Sequence, residues 1–248
     1  MVAALAAGPV MADDTDIEQT LDSVQDALNE ILISHNGTNV TQEATNVGNT
    51  ISYDDDSLDD VEQIATDGPI QDADNRADKV AFGFWKELDQ DAVNVINQIS
   101  MENLDTTDGI TPTINTLDQQ VDESDQDAYN WVDYTQFGKA NDQTATNAAN
   151  MASLVDIAES VSQEYDDGRQ RARNWFGDSG DDGYIDDLDQ DATNVINSLS
   201  AEIVLAGASV EQDVEGDDSG EGQIARNDLD FGDGPTFTGY PAVSALNV

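Results

Sequence analysis

The chain has 248 residues, with 53 acidic and eight basic side chains, a formal net charge of −45 and no cysteine. Such a charge argues against nucleic acid or an anionic membrane as a partner, because phosphate binding requires clustered Lys and Arg. The lack of Cys excludes disulfides and thiolate metal sites, and with one histidine, His35, a multi-histidine metal site is excluded too. No apolar run approaches the roughly 20 residues of a transmembrane helix, so none is predicted.

The first half of the chain shows apolar residues at steps of three and four, the period of an amphipathic helix. This spacing predicts helices over about 14–34, from Val40 to the Asp67-Gly68-Pro69 break, and over about 72–100. The first carries a heptad-like seam of Ile17, Leu21, Val24, Leu28 and Ile31.

The second half continues in the same way. Further helices are predicted from Ile114 to Val132, over about 141–173 and over about 185–205. After Gly207 the period is lost, and Gly, Asp, Pro and Thr dominate to the end of the sequence. This region is expected to be extended or irregular, with a short strand near 236–243.

A repeat runs through the chain. LDQDAVNVINQIS at 88–100 returns as LDQDATNVINSLS at 188–200, with ten of thirteen positions identical, and 42–52 resembles 143–153. Related strings begin at Gln42, Gln90 and Gln126. We expect one amphipathic unit used several times, in which Asn94, Asn97, Asn194 and Asn197 hydrogen-bond between stacked copies.

The resulting fold prediction is all-α: an antiparallel bundle of long helices with internal duplication and an irregular C-terminal tail. Residues 1–12 form an apolar arm or signal remnant, 13–105 and 106–206 form two helical repeat halves, and 207–248 form the Gly/Asp-rich tail. The Val10-Met11-Ala12 sequence is typical of a signal-peptidase site, although no basic segment precedes it. An arm that packs on a neighbouring subunit is the other interpretation of 1–12.

The acidic residues comprise 13 Glu and 40 Asp, whereas the chain has three Lys. Asp side chains hold water at a surface, and at about 1 M salt the Debye length falls to roughly 3 Å, which screens the mutual repulsion. This Asp-rich, Lys-poor composition resembles that of haloarchaeal proteins and of the proteins of haloarchaeal viruses. The resemblance covers the whole chain at the level of composition, and it implies that bulk K⁺ or Na⁺ is needed for folding.

One segment has the spacing of a calcium-binding loop. Asp217, Ser219, Glu221 and Asp228 take positions one, three, five and twelve, with Gly222 at position six. Position twelve usually carries Glu, and in a chain with 40 Asp such matches also arise by chance. Calcium is therefore the one candidate cofactor, and weak cation binding along the acidic surface is the alternative.

Asn36-Gly37-Thr38 and Asn39-Val40-Thr41 are adjacent N-glycosylation sequons. Glycans at Asn36 and Asn39 would place the chain outside the cell, at a cell surface or on a virion. Coincidence in an Asn- and Thr-rich chain is the competing explanation, and a cytoplasmic location stays open.

Three arginines, Arg169, Arg171 and Arg173, form the one basic cluster. Ion pairing with nearby acids at helical spacing explains them, and the alternative is an anchor for the acidic face of another subunit. The three tryptophans, Trp85, Trp131 and Trp175, are expected to be core or interface anchors rather than ligand platforms.

No arrangement of residues indicates catalysis, and the chain is predicted not to be an enzyme. The function expected from the sequence is that of a structural or surface protein of a halophilic archaeon or its virus. It would assemble with itself or with other structural proteins as a virion component, envelope spike or appendage. The alternative is a monomeric extracellular adhesin or ligand-binding module, for which calcium is a candidate ligand.

Overall fold

A computed structural model describes residues 16–32, 40–54, 57–66, 68–78, 84–85, 87–102, 112–133, 137–178, 184–215, 222–231, 236–237 and 242–247. These residues form 16 β-strands, and none of them lies in a helix. The all-α prediction is therefore wrong, and each of the six predicted helices is replaced by strands. It follows that the described part of the chain contains no helix able to cross a membrane.

Every strand pairing is parallel, and the strands fall on three faces that the chain visits in turn. Face 1 contains β1 (Ile17–Leu21), β4 (Leu58–Ala65), β8 (Thr113–Asp122), the second half of β10 (Phe137–Asp166) and β13 (Ser209–Val214). Face 2 contains β2 (Val24–Leu32), β5 (Ile70–Asp78), β9 (Asp125–Asp133), β11 (Arg169–Asp178) and β14 (Gln223–Phe231). Face 3 contains β3 (Val40–Asp54), β7 (Leu88–Glu102), the first half of β10, β12 (Tyr184–Val204) and β16 (Ala242–Asn247), with the short β6 (Phe84–Trp85) and β15 (Thr236–Phe237).

One passage over the three faces makes a coil, and five coils stack on each other as a β-solenoid. Strands of successive coils pair at sequence offsets of 43–56 residues. Leu88 lies beside Asn141, which in turn lies beside Leu188, so the match at an offset of 100 spans two coils. The repeating unit is thus one coil of about 50 residues, as expected for a fold in which each repeat buries its face only against its neighbours.

The apolar core lies between face 1 and the C-terminal halves of the face 3 strands. Leu58, Ile114 and Ile157 stack in adjacent coils there and are fully buried, against Ile51 and Ile99 from face 3. Between the middle parts of faces 2 and 3 the buried apolar cluster consists of alanines from the first four coils: Ala44, Ala73, Ala92, Ala128, Ala145, Ala172 and Ala192. Val132 and Phe176 at the end of face 2 pack with Leu88 and Leu188 at the start of face 3. Because Ala is short, these two faces approach closely, and polar side chains reach from one to the other.

The helical period of the first predicted helix came from two strands counted as one element. Ile17 and Leu21 face inward on β1, whereas Val24 and Leu28, after the corner at 22–23, are 69% and 55% exposed on β2. The inward positions of β2 are Gln25, Ala27 and Asn29. A strand alternation is present there, but polar residues occupy its buried side, which is the reverse of the usual pattern.

A bend explains the mixed steps in LDQDAVNVINQIS. The inward residues alternate up to Asn94, and then Ile96 and Asn97 are both buried. In the neighbouring strand Gly48 takes the place of Ile96, and a Cβ added there would lie 2.7 Å from the Ile96 carbonyl oxygen. Each strand has one extra residue at this bend. Asn94 and Asn97 are therefore three residues apart instead of the two or four of a regular strand, and a spacing of three resembles that of a helix.

The corner between faces 1 and 2 uses left-handed backbone in three successive coils. Gly68, Glu123 and Asp167 have φ values of 73°, 52° and 47°. Corners hydrogen-bond to each other as the strands do, since the Asp125 amide donates to the Pro69 carbonyl at 3.0 Å and the Arg169 amide to the Ser124 carbonyl at 2.7 Å. A non-glycine residue rarely adopts this conformation, and the stacked neighbours hold it in place.

The tail predicted as irregular also forms strands where it is described. Residues 209–214, 223–231, 236–237 and 242–247 add the fifth coil, and the short strand expected near 236–243 overlaps β15. The helical character of the halves 13–105 and 106–206 is wrong, while their division near 105 stays a prediction. The arm at 1–12 lies outside the described residues.

Candidate functional site

Columns of carboxamide side chains run through the interior from coil to coil. Face 1 contributes one Gln column, face 2 one Gln and one Asn column, and face 3 one Gln and two Asn columns. The members are Gln19, Gln63, Gln119, Gln163 and Gln212; Gln25, Gln71, Gln126, Gln170 and Gln223; Asn29, Asn75, Asn130, Asn174 and Asn227; Gln42, Gln90, Gln143 and Gln190; Asn46, Asn94, Asn147, Asn194 and Asn247; and Asn49, Asn97, Asn150 and Asn197.

Each column is a hydrogen-bonded ladder. Asn94 donates through Nδ2 to Asn147 Oδ1 at 2.9 Å, and Asn147 donates in the same way to Asn194. Parallel strands bring identical positions about 4.8 Å apart, which suits stacked carboxamides. The sequence-based prediction that Asn94, Asn97, Asn194 and Asn197 hydrogen-bond between repeats is confirmed, although the repeats are strands rather than helices.

A second set of bonds crosses the narrow interior. Gln126 Nε2 donates to the Ala148 carbonyl at 3.0 Å, and Gln170 Nε2 donates to the Val195 carbonyl at 3.1 Å. These carboxamides are fully buried, and a buried polar group is stable only when its hydrogen bonds are made. The ladders and cross-bonds together satisfy the polar interior and hold the faces at a fixed separation.

The outside of face 2 carries all five arginines of the chain. Arg169 pairs with Asp125, while Arg171 and Arg173 both pair with Asp127, at 3.0 and 2.7 Å. These partners lie on the preceding coil rather than one helical turn away, so the predicted helical pairing is wrong. The other two arginines pair within their own strands on this face, Arg76 with Asp74 and Arg226 with Asp228.

Aromatic rings lie beside these ion pairs. The Trp131 and Trp175 rings, on adjacent coils, have centroids 5.4 Å apart at an angle of 32°, and the Arg173 guanidinium lies 4.8 Å from the centre of the Tyr129 ring. Both tryptophans are half-buried on the outer surface and not in the core. Trp85 belongs to β6, next to Gly138 of β10. An interface role for the three tryptophans and three arginines stays a prediction.

The candidate calcium loop is only partly described. Asp228 lies in β14, and its carboxylate accepts a hydrogen bond from Arg226 Nε at 2.8 Å. Asp217, Ser219 and Glu221 fall outside the described residues, as do both sequon asparagines, Asn36 and Asn39. Among the residues that are described, no three acidic or histidine side chains gather in a way that would hold a metal ion. Calcium binding and glycosylation therefore stay predictions.

Acidic side chains form columns on the outer surface. Asp72 lies between Asp26 and Asp127 of the adjacent coils, and burial, with the nearby charges of Asp74, Asp127 and Asp26, raises its pKa to about 6. Burial and the charges of Asp189 and Asp89, which flank it in the same column, also raise the pKa of Asp142. Stacking coils thus brings like charges within about one strand spacing of each other.

Mild acid is expected to stabilise the solenoid, in contrast to ordinary acid denaturation. The pKa of Asp72 is higher in the folded chain than its usual 3.8, so between these values the folded state binds more protons than the unfolded state. The free energy of unfolding should therefore increase as the pH falls through 6, and this gain should disappear as the pH rises through 6 again. Thermal unfolding at pH 7.5 and pH 5 in constant high salt should show a midpoint higher by a few degrees at pH 5.

The matched variant for this measurement is Asp72→Asn, which removes the titrating group and leaves its shape. We expect the gain between pH 7.5 and pH 5 to be smaller in the variant. A thermal midpoint that falls on acidification of the unaltered chain would contradict the assignment.

The chain matches no protein-family model, no curated protein and no solved structure.

Proposed function

We propose that the chain is a non-enzymatic structural or surface protein of a halophilic archaeon or its virus, and that it assembles with copies of itself. A virion component, an envelope spike and a surface appendage are the forms such an assembly would take. The proposal combines the haloarchaeal character of the composition with a repetitive, hydrogen-bonded body that has two ends.

The observation that carries the proposal is the state of those ends. Face 2 ends at β2 on one side and at β14 on the other. Neither of these two strands has a second strand partner among the described residues. Side chains that are fully buried in the middle coils are exposed in the last one: Val210 is 45% exposed, whereas Val61 and Val161 of the same column are 1% exposed. Unpaired strand edges of this kind are templates for adding another chain.

The test is the oligomeric state in the solvent that the composition implies. Size-exclusion chromatography with light scattering in about 3 M KCl, where surface charges are screened, should give a mass many times that of one chain. Electron microscopy of the same sample would show whether the assembly has a defined shape. A sharp monomer peak over a range of protein concentrations would overturn the proposal.

A monomeric adhesin or ligand-binding module is the second candidate, and the outer surface of face 2 favours it. The half-buried Trp131 and Trp175 rings lie there beside Tyr129 and Arg173, and aromatic and arginine side chains dominate binding surfaces. This function predicts a monomer in the experiment above. It also predicts that Trp175→Ala removes ligand binding without changing the oligomeric state.

A further inference from the structure

The interior ladders have a direction. In the Gln columns each Nε2 donates to the coil before it: Gln63 to Gln19 at 2.9 Å, and Gln212 to Gln163 at 2.6 Å. In the Asn columns each Nδ2 donates to the coil after it, as Asn194 does to Asn247 at 2.9 Å. The two ends of the solenoid therefore differ in what they offer to a further coil.

The first coil offers Gln donors and Asn acceptors. Gln19 and Gln25 use Nε2 for the cross-bonds to the Thr50 and Val47 carbonyls, and no preceding coil among the described residues takes the second hydrogen. Asn46 Oδ1, by the same rule, faces the side from which a donor would come. The last coil offers the reverse, namely the Oε1 atoms of Gln212 and Gln223 and the Nδ2 atom of Asn247.

One column shows what happens when the next carboxamide is missing. Gln190 donates to Gln143 at 2.6 Å, but the residue beside it in the last coil is Val243. Gln190 Oε1 is buried and has no hydrogen-bond partner. An Oε1 atom in these columns thus depends on a donor from the following coil. Among the described residues no coil follows Gln212 and Gln223 to supply that donor.

Most column residues of the first and last coils match in type as well as in polarity, and the exception is Val243, which would lie beside Gln42. Continuing the register by one coil places Gln212 beside Gln19, Gln223 beside Gln25, Ala225 beside Ala27, Ala245 beside Ala44 and Asn247 beside Asn46. The exposed Val210 and Val214 would likewise lie over Ile17 and Leu21. The end surfaces are therefore complementary to each other and not to themselves.

We propose that copies of this chain stack head to tail, the fifth coil of one against the first coil of the next, with the interior columns continuing in register. This inference rests on the proposed self-assembly and specifies its geometry. Gln19 and Gln25 of one copy donate to Gln212 and Gln223 of the other, and Asn247 donates in the opposite direction to Asn46. A head-to-head pair would instead bring donors against donors in the Gln columns and acceptors against acceptors in the Asn columns.

Charge sets the condition for this contact. Glu211 on the outer surface of the last coil would lie beside Glu18 of the next copy, and Asp228 beside Glu30. Such pairs repel at low ionic strength and are screened at about 1 M salt, where the Debye length is roughly 3 Å. Stacking of copies is thus expected to require the same high salt concentration that we predict to be needed for folding.

Cysteine cross-linking tests the arrangement, because the chain has no native Cys. Glu18→Cys and Glu211→Cys lie at exposed positions that share one column, so head-to-tail stacking puts their Cα atoms about 4.8 Å apart, within disulfide range. Thr20→Cys with Asp213→Cys is a second in-register pair. Glu18→Cys with Asp213→Cys is the control, since a shift of two residues moves the Cα atoms beyond the roughly 7 Å limit.

Single variants are mixed in high salt, oxidised mildly and separated on a denaturing gel, with light scattering on the same samples. Cross-linked dimers are expected only from mixtures of the two in-register partners, at least tenfold above the control and above either variant alone. Cross-linking of Glu18→Cys with itself, or multimers without in-register cross-links, would overturn head-to-tail stacking and leave self-assembly standing. Monomers by light scattering would overturn both proposals. Circular dichroism confirms that each exposed-site variant folds.

Discussion

Replacing Asn147 with Asp is expected to destabilise the solenoid by about 3 kcal/mol or more at neutral pH, since it places an unpaired charge in a dry ladder. Asn147 is fully buried, accepts from Asn94 Nδ2 and donates to Asn194 Oδ1, both at 2.9 Å. Aspartate keeps the shape and the acceptor but loses the donor, so its second oxygen faces the Asn194 oxygen. Denaturant unfolding in constant high salt, followed by circular dichroism, measures the loss.

The control is Thr146→Asp, which adds the same charge one residue away on the outward side of the same strand. Its cost should be below about 1 kcal/mol, as is usual for surface substitutions. Acid provides a further check on Asn147→Asp, because the introduced carboxyl regains a donor when it is protonated and should recover part of the lost stability. Equal losses in the two variants would mean that the ladder contributes nothing specific.

Transfer to low salt is expected to unfold the chain, which is the largest effect that we predict. Columns of outward acids, such as Asp89, Asp142 and Asp189, repeat at the strand spacing of about 4.8 Å. The Debye length is about 10 Å at 0.1 M salt and roughly 3 Å at 1 M, so only the higher concentration screens neighbours in a column. The β-sheet signal in circular dichroism should disappear below about 0.5 M salt and return on its restoration.

Asp142→Asn separates charge screening from other effects of salt. The variant interrupts an acidic column and should shift the unfolding midpoint to a lower salt concentration, while its stability in about 3 M salt changes little. Sucrose, which strengthens burial without screening, should stabilise both chains equally and leave the difference between them. A β-sheet signal that persists on dialysis into dilute buffer would contradict the prediction.

The interior carboxamides show why hydropathy predicts the wrong fold class. The hydropathy pattern assigns Gln and Asn to the solvated side of an amphipathic helix, and the apolar residues to its buried side. In the structure Gln126 and Asn130 are fully buried, while Val24 and Leu28 are exposed. A lone buried Asn costs free energy, but an identical Asn in each coil removes that cost. Burial therefore depends on pairing between coils, which a local sequence window does not contain.

The positions of the arginines follow the same logic. The spacing of two residues between Arg169, Arg171 and Arg173 is that of side chains on one side of a strand. The hydropathy pattern instead predicts a helix there. Their partners Asp125 and Asp127 lie 44–46 residues earlier and become adjacent only when β9 and β11 pair. An alternation of Arg with Gln, Ala and Asn was the available signal for a strand.

The sequence by itself determined the charge, the existence of a repeated unit and the stacking of its Asn residues, and from the charge we predict a dependence on salt. The tertiary structure decided that the unit is a coil of three parallel strands and that Gln and Asn lie inside. The physical reason is that the carboxamides, acids and many of the arginines of this chain interact mainly with residues of the adjacent coil. That neighbour is about 50 residues distant along the chain and about 4.8 Å distant in space.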